Sequence, residues 1–244
     1  MRRFLAILLV AVLSGCSDTR PYRNSAYEAA VSLPADGAIR QRILLIGDAG
    51  APRPEGEPVL QTLSRWASAM PTRTMVIFLG DNVYENGVPA DEPGQRAALA
   101  RLHPQVDVLR SSGARGLFIP GNHDWRSGLD GVVRQRRYVR SQAKRADLLP
   151  IPGTSGPVTI DDLAGVRVVT LDTEMWLRMA AAEKTQRSDE LRRAVSTAGS
   201  RHVIVVGHHP IATHGRHGGF MDWQDHLFQL ARVGGLKSTP LAIL

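Results

Sequence analysis

At 244 residues the chain is long enough to bury a sizeable core, and its single cysteine, Cys16, excludes an internal disulfide. The formal charge is +7 and the pI about 10.3. That excess suits anionic substrates or anionic lipid, but the densest basic run, Arg134, Arg136, Arg137, Arg140, Lys144 and Arg145, has few aromatics and reads as a solvated helix face. No nucleic-acid partner is expected.

Met1 to Cys16 has a basic start, an apolar middle too short to span a bilayer, and small residues before the cysteine, which is the grammar of a secretory signal. Leu13-Ser14-Gly15-Cys16 resembles the bacterial lipobox, in which the signal is cut away and the cysteine becomes a lipidated first residue. Residues 1–15 are therefore expected to be signal, and Cys16 the lipid-anchored residue. Ser17 after the cysteine points to the outer membrane, on its periplasmic face. Residues 16–41 are polar, with Pro, Ser, Asn and Gly and no sustained apolar period, so they read as a tether.

From residue 42 strands alternate with helical patterns, the mark of an α/β domain running to residue 244. Helices are predicted over Glu57–Met70, Pro93–Arg110 with Leu99, Leu102, Val106 and Leu109 on one face, Val132–Leu149, and Glu183–Ala198. Val158–Asp161 and Val166–Leu171 read as a hairpin. Four further apolar runs end in the same way. Arg42–Ile46 leads to Gly47-Asp48, Met75–Leu79 to Gly80-Asp81-Asn82, Gly116–Pro120 to Gly121-Asn122-His123-Asp124, and His202–Val206 to Gly207-His208-His209. Each strand hands the chain to a glycine and then to Asp, Asn or His. Open α/β sheets place their sites at strand carboxyl ends, so four such junctions carrying oxygen and imidazole donors point to a metal site.

A dinuclear hydrolytic site needs a bridging carboxylate and ligands that leave room for a hydroxide. Asp81 suits the bridge, and Asp48 with Tyr84, three residues after Asp81, suits one cation. Asn122 and His208 suit the other. The oxygen-rich side favours a trivalent iron and the other a divalent metal, Fe2+, Zn2+ or Mn2+. His123 could bind a phosphate oxygen or protonate the leaving group, with Asp124 orienting it. His209 and, further on, His214 are candidates to meet the substrate, although a loop histidine is more often simply solvated. Trp125 suits either the substrate mouth or the core.

Gly47-Asp48, Gly80-Asp81-Asn82 with Tyr84, Gly121-Asn122-His123-Asp124 and Val205-Val-Gly-His208 resemble four of the five ordered motifs of calcineurin-like metallophosphoesterases. Within that group they are similar to the tartrate-resistant, purple acid phosphatase branch. Gly50 stands where many other members carry a metal-binding His, and Tyr84 supplies the phenolate that replaces it. The resemblance implies a four-layer α/β/β/α sandwich, Asp48, Asp81 and Tyr84 at iron, Asp81, Asn122 and His208 at the second metal, and hydrolysis of small phosphate monoesters by a metal-activated hydroxide, with diesters or acyl phosphates as alternatives. It also implies a fifth motif, Gly-His-x-His, which does not occur here. The expectation is a truncated or frameshifted phosphatase lacking the last strands of its second sheet and impaired in activity. The alternative is a non-catalytic envelope lipoprotein with a degenerate phosphoesterase fold. Oligomeric state is not legible.

Overall fold

A computed structural model describes residues 34–211. The signal segment, Cys16, most of the expected tether, His214, and everything the sequence suggests about the end of the second sheet lie outside the described residues. Residues 34–41 do fall inside them and are bonded to the first strand and to the turn before the second. Arg42 reaches back to Asp36 at 2.9 Å, Gln41 Nε2 donates to the Arg73 carbonyl at 2.8 Å, and Arg73 donates to the Ile39 carbonyl at 2.6 Å. Among the described residues no helix is long and apolar enough to cross a membrane.

Strands β1 (Arg42–Ile46), β2 (Thr74–Phe78), β3 (Arg115–Phe118) and β4 (Ala146–Leu148) form one parallel sheet in that order. Their register brings Ile46, Phe78 and Phe118 level. The level ends are extended one step further by Leu79 N–H donating to the Ile46 carbonyl at 2.7 Å and Ile119 N–H to the Phe78 carbonyl at 2.9 Å. Three strand tips are thereby delivered to the same edge at the same height, which is what a shared site requires.

The sheet is buried on both faces, so β2 is a continuous apolar run with no exposed position. Alternation sorts its side chains. Val76 and Phe78 join Phe118 in a core with helices α1 (Pro58–Ala69), α2 (Glu92–Ser112) and α3 (Gly128–Gln142), and the Phe78 and Phe118 rings stack at 4.3 Å. Met75 and Ile77 point the other way, into a second core with Leu117, Ile119, Ile160, Leu163, Val168 and Val206.

That second core lies between the four-stranded sheet and a three-stranded one. Strands β5 (Val158–Leu163) and β6 (Val166–Thr170) are the predicted antiparallel hairpin, turning at Gly165 with φ 74°, and β7 (His202–Val206) runs parallel to β6. Helix α4 (Thr173–Arg178) follows β6, and α5 (Ala181–Ser196) covers the outer face, where Arg167 of β6 donates to the Ala194 carbonyl at 2.7 Å and to Thr197 Oγ1 at 3.0 Å. Helices, sheet, sheet and helix give the four layers of a metallophosphoesterase sandwich.

The third predicted helix ran to Leu149, whereas α3 stops at Gln142 and residues 146–148 form β4. Ala143 is already extended, at φ −132° and ψ 111°, and Leu148 is fully buried beside β3. Asp147 holds the turn together, taking Arg136 of α3 in a two-pronged bond at 2.8 and 2.9 Å. The basic run is accordingly less solvated than expected: Arg134 and Arg136 work inward, while Arg137 and Arg140 remain exposed. Helix α4 escaped sequence reading altogether because it is only six residues long; its signal is the cap, Asp172 accepting from Met175 N–H at 3.0 Å.

Candidate metal centre

The two aspartates at the tips of β1 and β2 are the only non-glycine residues with positive φ among the described residues, Asp48 at 58° and Asp81 at 53°. Left-handed backbone is unusual outside glycine and persists where the surroundings hold it, often at functional sites. Here the hold is mutual. Asp48 N–H donates to the Gly80 carbonyl at 3.1 Å, and Gly50 N–H to the Asp81 carbonyl at 3.0 Å. Gly80, with φ 94°, leaves room for the ring of His208, which a Cβ would approach to 2.7 Å.

From β7, His208 crosses to the first sheet. Its Nδ1 lies 2.9 Å from the Leu79 carbonyl, an atom that can only accept, so Nδ1 carries the hydrogen. Nε2 then faces Asn122 Oδ1 at 3.1 Å and Asp81 Oδ1 at 3.4 Å. These three atoms converge on one point. With Nε2 deprotonated each offers a lone pair there, so the donor set fits a metal. Donor atoms of Asp48, Asp81 and His208 all lie within 4.8 Å of one another.

Tyr84 completes the other side. Its hydroxyl donates to Asp48 Oδ1 at 2.7 Å. Burial, the hydrogen bonds to Asp48 and Asp81, and the charge of both carboxylates hold the phenol proton far more tightly than in a free tyrosine. Tyr84, Asp48, Asp81, Asn122 and His208, the five ligands proposed from sequence, are thus brought to one place.

His123 is nearby, but not in the arrangement expected. Its backbone N–H donates to Asp81 Oδ1 at 2.9 Å, its Nδ1 faces the Glu85 carbonyl at 2.7 Å, and its Nε2 lies 4.0 Å from Asp81 Oδ2. The Glu85 carbonyl, not Asp124, orients the ring. Asp124 is fully buried and spends both oxygens on the loops, accepting from Gly121 N–H at 2.8 Å, Val83 N–H at 3.0 Å, and the backbone and side-chain nitrogens of Asn82 at 3.2 and 3.1 Å. Burial pushes this carboxyl up to about 6, and the backbone donors hold it from going higher. It ties the β2 and β3 loops together and does not reach the open side of the site. His209, expected to meet substrate, is held by α4: Nδ1 lies 2.8 Å from Thr173 Oγ1, and Nε2 lies 3.6 Å from Glu174.

Sequence reading missed the clamp on the Tyr84 loop. The Tyr84 carbonyl accepts from Arg101 at 2.6 Å, the Glu85 carbonyl from His123 and from Arg126 at 3.1 Å, the Asn86 carbonyl from Ser127, and the Val88 carbonyl from both Nε and Nη2 of Arg134. A second link joins the sheets: Trp125, after β3, donates from Nε1 at 2.8 Å to Asp172, after β6. Burial pushes Asp172 up to about 6. The advance signal for this link was Trp125, which the sequence suited to either the substrate mouth or the core.

An α/β sandwich that gathers carboxylates, a phenol, an amide and an imidazole from separate strand tips offers a framework for a metal centre. The calcineurin-like phosphoesterase family model matches residues 41–237, and the chain belongs to that family. No match to a curated protein was found. The protein is therefore a metallophosphoesterase, a hydrolase of phosphoric esters, with a metal centre and small phosphorylated substrates.

Proposed function

We propose that the chain is a dinuclear phosphomonoesterase of the purple acid phosphatase type. One cation would be held by Asp48, Asp81 and Tyr84, a trivalent iron by the hardness of those oxygens, and a divalent Fe, Zn or Mn by Asp81, Asn122 and His208. The observation that carries this reading is the convergence of His208 Nε2, Asn122 Oδ1 and Asp81 Oδ1, brought from three separate strand ends. The packing of Gly50 supports the branch: a Cβ there would sit 2.5 Å from backbone atoms of Asp81, Asn82 and Val83, so no histidine fits, and the phenol of Tyr84 occupies that side. Bound cations would neutralise phosphoryl charge and lower the pKa of water.

The remaining work falls to the chain. Asp48 and Asp81 fix the spacing of the two sides. His123, with Nδ1 facing the Glu85 carbonyl, presents Nε2 beside Asp81, the atom from which a proton would pass to the leaving oxygen. We also infer from Leu13-Ser14-Gly15-Cys16 and Ser17 that a lipidated Cys16 would anchor the chain on the periplasmic face of the outer membrane.

Release of phosphate from a chromogenic monoester tests the reading, with chelator and with Fe, Zn or Mn restored. Metal-dependent turnover is expected. No turnover with any of these metals contradicts it. In the iron-loaded protein a visible charge-transfer band lost in Tyr84→Phe is the mark of the branch, and its absence in the parent protein would leave a plain divalent pair.

A further inference from the structure

Beside the metal ligands lies an exposed guanidinium, Arg126, whose present partner is the protein's own Glu85. Arg126 is exposed and spends one nitrogen, Nη1, on the Glu85 carbonyl at 3.1 Å. The same Nη1 lies 3.5 Å from the Glu85 carboxylate, and His123 Nδ1 lies 3.9 Å from it. That carboxylate is 72% exposed, while the His123 ring is only 15% exposed and lies 4.0 Å by its other nitrogen from Asp81. In order outward from the centre stand Asp81, His123, then the Glu85 carboxylate between His123 and Arg126.

An exposed ion pair of this kind is weak and easily exchanged for another anion. A guanidinium with unspent donors offers a forked site for carboxylate or phosphate oxygens. His123 stands between Arg126 and the metal ligands, so a group bound at Arg126 would belong to a molecule whose phosphate lies at Asp81. We propose that Arg126 forms a second anion subsite, selecting phosphomonoesters that carry another carboxylate or phosphate a few atoms from the scissile group, and that the Glu85 side chain is the placeholder such substrates displace. The inference rests on the phosphomonoesterase reading and names its substrate class.

The matched probes are 3-phosphoglycerate and glycerol 3-phosphate, which differ by a carboxylate against a hydroxymethyl group. On the full-length, metal-loaded protein, kcat/KM for each is measured by phosphate release and Kd by calorimetry. The parent protein is expected to favour 3-phosphoglycerate. Arg126→Gln should cut that preference about 10-fold, beyond any loss that both substrates share because Arg126 also holds the Glu85 carbonyl against which His123 is oriented. Arg126→Lys, which keeps the charge but not the fork, should recover part of it. Glu85→Gln, which removes the placeholder, should raise the preference. Opposite shifts from the two partners are not produced by a merely structural pair. Equal losses on both substrates in Arg126→Gln, or a fall in preference in Glu85→Gln, overturns the subsite. If neither substrate turns over, the phosphomonoesterase reading fails, and the ratio of dissociation constants still decides whether Arg126 selects a second anion.

Discussion

The two sides of the strand-tip cluster differ in where they keep their protons. On the Tyr84 side the phenol hydrogen bridges to Asp48, so the oxygens satisfy each other and the arrangement is complete as it stands. On the His208 side Nδ1 gives its hydrogen to the Leu79 carbonyl, and Nε2 faces Asn122 Oδ1 and Asp81 Oδ1. A cation on the Tyr84 side would have to displace the phenol hydrogen. The two subsites proposed here, sharing Asp81, would therefore differ in pH dependence and in order of filling.

The largest effect should come from removing what the sides share. Asp81→Asn should lower metal-dependent phosphate release by more than about 100-fold, because even changes beyond the direct ligands typically cost roughly 10 to 100-fold. A variant within about 3-fold of the parent would mean that the two sides do not share this carboxylate. Tyr84→Phe should act on one side only. Calorimetry in buffers of different ionisation enthalpy should show one proton fewer released on metal loading, and affinity on that side about 10 to 100-fold weaker, with the His208 side unchanged.

Trp125→Phe should loosen the spacing between the sides, since Asp172 loses a donor and the link between the loops after β3 and β6 is broken. A buried acceptor left short of a partner costs about 1–3 kcal/mol, read as a lower denaturation midpoint at unchanged m-value.

The smallest effect concerns pH. Asp172 is held at about 6 when folded, against an ordinary value of 3.8. Between those values the native chain keeps a proton that the unfolded chain has released, so the stabilisation is present below 3.8 and is lost as pH rises through about 6. Asp172→Asn should flatten the fall of urea-unfolding free energy between about pH 4 and 6. An unchanged slope would show that this carboxyl titrates alike in both states.

The same physics accounts for the parts of the site that the sequence revealed and the parts it concealed. A buried parallel strand is a long apolar run, and a glycine that breaks it leaves a short list of residues at the tip. Asp48, Asp81, Asn122 and His208 could therefore be read one strand at a time, and Tyr84 by its spacing from Asp81. The pieces that were hidden are set by backbone atoms or by short elements. The Glu85 carbonyl that orients His123 carries no sequence signal, because every residue has a carbonyl. Asp124 was misassigned for the same reason: next to a histidine it resembles a catalytic partner, but four N–H donors from loops about 40 residues apart in the chain take its oxygens. Strand β4, three residues long, has too few positions to show a period, and Lys144-Arg145 just before it continues the charge pattern of α3.

Anomalous diffraction from crystals of the full-length protein grown with manganese or zinc tests the central claim most directly. The account predicts two peaks flanking the Asp81 carboxylate, one within ligand distance of His208 Nε2 and Asn122 Oδ1 and the other beside Asp48 and Tyr84. Peaks that leave Asp81 uncoordinated, or a His208 Nε2 still facing its two oxygens with no cation among them, would contradict it.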